Sequence, residues 1–148
     1  MILILTQVVY TLTLVERETC PSDCYHWSTC YGNNMPFAHR MNSSDELLLT
    51  NRIHEDIKNL NGKKALIRLH ILGDFFSTQY VLFWDLMLKL YKNIAIYGYT
   101  ANNLNSKIKK SIAIAEKIIA LTNTHKKRFS IRFSNDLNNK FSANSFDI

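Results

Sequence analysis

Residues 65–99 read ALIRLHILGDFFSTQYVLFWDLMLKLYKNIAIYGY, and this stretch decides the fold. Ala65 to Leu72 is a short apolar run that ends at Gly73-Asp74, so it reads as a buried strand. Ser77 stands where it can cap a helix through about Leu90. The apolar residues of that helix, Val81, Leu82, Trp84, Leu86 and Met87, cover most of its surface and predict deep burial. Asn93 to Tyr99 (NIAIYGY) is a further strand. Strands that alternate with a helix of this length imply parallel pairing with a right-handed crossover.

The pattern extends in both directions. Residues 8–15 (VVYTLTLV) are rich in β-branched and aromatic types, and Leu12 and Leu14 alternate with Thr11 and Thr13 as in a strand. Ser43 or Ser44 can cap a helix, Asp45 and Glu46 suit its positive end, and Leu48, Leu49, Ile53, Ile57 and Leu60 recur at helical spacing until Asn61-Gly62 stops it. Downstream, Ser106 to Leu121 predicts a helix with Ile108, Ile112, Ala115 and Ile119 on its inner face, and Phe129 to Phe133 a fourth strand. The expected fold is α/β, a parallel sheet of about four strands with intervening helices, either half of an eight-unit barrel or a small open sheet. One domain is expected over residues 1–148, with a cysteine loop at 19–40 and a polar, fraying tail at about 138–148.

An apolar fraction of 47% in 148 residues suffices for one core of moderate size. The formal charge of +6 and a pI near 9.3 invite a nucleic-acid or membrane-surface partner. Many of the cations, however, fall on the last helix (Lys107, Lys109, Lys110, Lys117) and the turn after it (Lys126, Lys127, Arg128), where a solvated face accounts for them equally well. The opening run Met1 to Leu5 is broken by Thr6 and Gln7 and has neither a charged n-region nor a cleavage site, so a cytoplasmic location without a membrane partner is expected.

Cys20, Cys24 and Cys30 fall within eleven positions. An odd count in a chain without signs of export suits metal or redox chemistry better than a disulfide framework. Their spacing, C-x3-C-x5-C, lets three thiolates converge, and soft sulfur ligands select iron–sulfur clusters, zinc or copper(I). Three cysteines on a four-iron cluster would leave one iron open. Zinc would need a fourth ligand, from His26 inside the loop or His39 beyond it. The remaining alternative is that the three thiols are free and buried.

Ligands of parallel α/β folds bind at the carboxyl ends of the strands, and each predicted end carries polar or metal-binding groups. After strand one come the cysteines; after strand two, His70 and Gly73-Asp74; after strand three, Tyr99, Thr100 and Asn102; after strand four, Ser134 and Asp136. Gly73 would admit a ligand close to the backbone and Asp74 could accept a hydrogen bond from an ammonium group, or Gly73 only turns the chain and Asp74 caps the next helix. His70 lines a pocket or is a satisfied core histidine. Tyr99, Thr100 and Asn102 contact a ligand or belong to an ordinary turn.

Several of these stretches together resemble a known family. Thr19 to Cys24, Cys30 to Arg40 (CYGNNMPFAHR), Arg68 to Ser77 (RLHILGDFFS) with Tyr80 and Trp84, Tyr97 to Thr100, and Arg132 to Ser134 are similar to the phage and bacterial gene product 88 family, whose members resemble radical-SAM proteins. The resemblance covers about residues 11–136 and implies a [4Fe-4S] cluster on Cys20, Cys24 and Cys30. It also implies S-adenosylmethionine at the open iron, with Gly73-Asp74 toward its methionine ammonium; His70, Thr100 and Ser134, at the strand ends, are expected beside the cofactor, along with an unknown substrate and an electron donor. The commonest radical-SAM loop is C-x3-C-x2-C, whereas the second gap here is five residues, and about three and a half βα units stand where such barrels have about six. A zinc-stabilised nucleic-acid-binding module and an inactive truncated remnant are the competing expectations.

Overall fold

The computed structural model describes residues 8–134. Its elements run β1 (Val8–Leu12), a short α1 (Glu16–Thr19), a 3-10 turn (Tyr31–Asn34), α2 (Glu46–Lys58), β2 (Ala65–Leu69), α3 (Thr78–Leu90), β3 (Ile94–Thr100), α4 (Lys109–Thr124) and β4 (Phe129–Phe133). The four strands form one sheet in the order β1-β2-β3-β4, and every neighbouring pair is parallel. This is the α/β architecture expected from the alternation of strand and helix patterns. The tail from about 138 lies outside the described residues.

Register places Leu12, Ile67, Leu69, Ile94, Ile96, Gly98, Thr100, Phe129, Ile131 and Phe133 on one face, because partners in a parallel ladder point the same way. Against that face lie Leu49, Ile53 and Ile57 of α2, Tyr80, Val81, Trp84, Met87 and Leu88 of α3, and Ile114, Ala115, Ile118 and Leu121 of α4. Since α2 packs beside α3 and α3 beside α4, the three helices form a single layer. The opposite face carries Val9, Thr11, Leu66, Arg68, Ala95, Tyr97, Tyr99, Ser130 and Arg132, and no described element covers it; Thr11, Tyr99 and Arg132 are exposed.

The caps follow the sequence. The Asp45 carboxylate accepts from the Leu48 amide at 2.9 Å, one position after the expected serines, and the Ser77 hydroxyl accepts from the Tyr80 amide at 2.9 Å. Asn61 and Gly62 take positive φ values of 50° and 77° to end the segment after α2. Three expectations need correction. The first strand stops at Leu12, after which Leu14 makes one isolated bridge to Met41, because the chain turns into α1 at Val15. Helix α4 starts at Lys109, so Ile108 is its cap residue and the buried stripe is Ile114, Ala115, Ile118 and Leu121; Ile112 and Ile119 are half-buried. With isoleucines at 108, 112, 114, 118 and 119, two faces of that helix were apolar and the packing chose the other. On α2 and α3, Leu48, Leu82 and Leu86 are exposed, since a helix in a single layer buries only one side.

Candidate functional site at the carboxyl ends of the strands

The chain leaves β1 through α1 into a loop made mostly of turns, which carries Cys20, Cys24 and Cys30. The loop is held from several directions. Glu16 accepts from Arg40 at 2.7 and 3.1 Å, and this pairing holds its carboxyl below the usual range against the opposing pull of burial. Arg17 donates to the Trp27 carbonyl at 2.7 Å and to Asn33 Oδ1 at 2.9 Å, with its guanidinium 4.6 Å from the Trp27 ring centroid. The Tyr31 hydroxyl donates to the Ile71 carbonyl just beyond β2, and Ser106, after β3, donates to Asp23 at 2.5 Å. The loop therefore lies over the ends of β2 and β3.

A cavity of about 370 Å³ opens beneath it, and it is lined by Cys20, Cys24, Cys30, His70, Gly73, Asp74, Thr100 and Ser134. The three cysteines and the strand-end residues His70, Gly73, Asp74, Thr100 and Ser134 thus line one space. His26 and Tyr99 also line it, whereas His39 and Asn102 do not. All three cysteines are free and half-buried. Burial pushes the Cys20 and Cys24 thiols up, for Cys20 reinforced by the nearby Asp74 charge and the other two sulfurs, so without a metal these groups stay protonated at neutral pH.

Asp74 sits at the centre of a buried hydrogen-bond network. Its Oδ1 accepts from the Phe75 amide at 2.7 Å, the Thr100 hydroxyl at 2.6 Å and Asn102 Nδ2 at 3.2 Å, while Oδ2 accepts from the Ala101 amide at 2.7 Å. Burial nevertheless outweighs these donors and pushes its pKa up to about 6. Asp74 is thus neither a helix cap, a role that falls to Ser77, nor a loose surface carboxylate. It joins the segment after β2 to the segment after β3. The Asp74 amide in turn donates to Thr19 Oγ1 at 3.1 Å, which brings in the end of α1. Gly73 has φ 86°, and a Cβ there would lie 2.7 Å from both Leu14 Cβ and Thr19 Oγ1, so only glycine lets the chain pass this close to β1's continuation.

His70 is buried, and its Nε2 shares a hydrogen bond with the Tyr80 hydroxyl at 3.0 Å. Burial drops its pKa to about 3, so the ring is neutral, and its Nδ1 is buried with no hydrogen-bond partner among the described residues. Sequence reasoning passed over Arg68 as a site residue, although a lone cation inside the apolar run ALIRLHIL is the signal that finds it; Arg68 lines the cavity, as do Glu16 and Tyr31.

The donor set suits a soft metal centre in kind: free thiols on one loop, facing one cavity, with an orphaned imidazole nitrogen in its wall. In spacing, no group of three or more His, Cys, Asp or Glu side chains among the described residues stands close enough to hold a metal ion. Ligation would require the thiols to lose protons and the loop side chains to draw the sulfurs together.

Fold and site together define a parallel α/β protein with helices on one face and a thiol-lined cavity at the carboxyl rim of its sheet. The family model for gene product 88 matches residues 4–145, and the chain belongs to that family. No curated protein and no solved structure matches it. Among the described residues, no helix is long and apolar enough to cross a membrane.

Proposed function

We propose that this chain is a radical-SAM-like iron–sulfur protein in which Cys20, Cys24 and Cys30 would hold a [4Fe-4S] cluster beside a site for S-adenosylmethionine. The reading is supported by one observation above all: the three thiols and the Gly73-Asp74 turn line the same cavity at the carboxyl ends of parallel strands. A cluster bound there supplies one electron for reductive cleavage of the sulfonium, acting on a substrate yet to be found. The chain's own residues bind and orient. Asp74 Oδ2 has a single donor and so retains acceptor capacity for a ligand ammonium, whereas Oδ1 is fully engaged. Neutral His70 offers Nδ1 to a polar ligand atom, and Leu72 with Ile71 keeps part of the wall apolar. Because the Cys20 and Cys24 thiols are held protonated, loading releases protons and is favoured as pH rises.

Anaerobic reconstitution followed by metal and sulfide analysis tests this reading. The expected result is about four iron and four sulfide per chain, lost when any one of the cysteines is replaced by serine. One zinc per chain without sulfide would overturn it in favour of a second reading, a zinc clip with His26 as fourth ligand, which the presence of His26 in the same cavity wall supports.

A further inference from the structure

The cavity wall contains a cation, Arg68, that no carboxylate among the described residues meets; its electrostatic neighbour is the Tyr31 hydroxyl. Arg68 lies on β2, on the sheet face that no described element covers, level with Thr11 of β1 and Tyr97 of β3. It is half-buried and lines the cavity, yet its guanidinium makes no hydrogen bond or ion pair among the described residues. The two carboxylates in the same wall are engaged elsewhere: Glu16 is paired with Arg40, and Asp74 holds its four donors. No Asp or Glu stands on that face at the paired positions of the four strands. A guanidinium is strongly polar, always charged, and presents five donors in a planar fork that matches a carboxylate or phosphate. Half-buried in the cavity wall, that fork stands where a ligand entering the cavity can meet it.

We propose that Arg68 anchors an oxyanion, a carboxylate or phosphate group of a small ligand bound in the cavity. Tyr99 lies on the same sheet face as Arg68, lines the same cavity and is half exposed, so it is available to the same ligand. The anchor does not depend on the cysteines holding a metal, since charge and fork geometry belong to Arg68 alone.

The test follows the Arg68 Nε–Hε resonance of the full chain by NMR while inorganic phosphate or succinate is titrated at constant ionic strength set with chloride, so that screening does not change. Saturable movement of that resonance is expected with at least one of the two anions. The one that binds more tightly assigns the ligand group as phosphate or carboxylate. Arg68→Gln should weaken binding by about tenfold or more, and Arg68→Lys, which keeps the charge without the fork, by less; Lys109→Gln, an exposed site on α4, should leave binding unchanged. The inference is overturned if neither anion moves the Arg68 signal up to about 50 mM, a range that still detects very weak sites. It is equally overturned if folded Arg68→Gln binds as tightly as the wild type. The resonance is read on the wild-type chain, so the outcome stands even if a variant fails to fold.

Discussion

Replacing Asp74 with asparagine isolates the electrostatic cost of the polar hub. The carboxyl is buried, and its pKa stands at about 6 where an unhindered aspartate has 3.8. The folded state therefore holds its proton to higher pH than the unfolded state does. Stability from this group is fully present below the unfolded value and is lost as pH climbs through the folded one. The interval amounts to about 3 kcal/mol, lost between about pH 4 and about pH 7. An asparagine cannot ionise and shows no such loss, although its amide nitrogen would confront the Ala101 N–H that Oδ2 now accepts. Urea unfolding of the metal-free wild type and Asp74→Asn, followed by fluorescence of the buried Trp84, measures the difference. The expected result is that the variant gains about 3 kcal/mol relative to the wild type as pH rises across that window. The Cys20 and Cys24 thiols remain protonated there and do not contribute. If the wild type instead gains on the variant as pH rises, the four donors outweigh burial and the reasoning is wrong.

Gly98→Ala should abolish folding, because a Cβ at that position would lie 1.4 Å from the Leu69 carbonyl oxygen, a clash with backbone that no side-chain movement relieves; soluble yield and circular dichroism would report it. Ser77→Ala removes both the acceptor of the Tyr80 amide and the donor to Glu46 Oε1, at 2.9 and 2.8 Å, and should lower stability by about 1–2 kcal/mol, read as a shift in the urea midpoint.

The strands and helices were legible because each carries its own period, and the α3 cap because Ser77 is a short polar side chain directly before an apolar run; at α2 the expected Ser43 or Ser44 yields to Asp45 among three adjacent capping residue types. The rim of the sheet was legible for a different reason: parallel strands force their loops to one end, so the cysteines, His70, Gly73, Thr100 and Ser134 could be placed together before any contact was known. What sequence could not supply was the wiring. Asp74 looked like a cap or a ligand group, and only the fold brings Thr100, Ala101 and Asn102 of the next segment onto its carboxylate. The inner stripe of α4 was ambiguous because two of its faces were apolar. Arg68 was hidden because a strand residue shows its face only once its neighbours in the sheet are known.

The way the rim is held bears on how any cysteine variant should be interpreted. The segment after β2 is fixed to that after β3 through Asp74, and to α1 through Thr19. The segment after β4 joins through the Ser134 amide on the Thr100 carbonyl at 2.9 Å, and the cysteine loop is tied down by Arg17, Arg40, Tyr31 and Asp23. None of these ties runs through a cysteine sulfur. The Cys24 sulfur accepts from the His26 amide, a role that a serine hydroxyl keeps, so a single serine substitution should change what the cavity can ligate while leaving the frame in place. A loss of iron in such a variant then reflects ligation rather than unfolding, whereas a loss after substitution at Asp74 could reflect either.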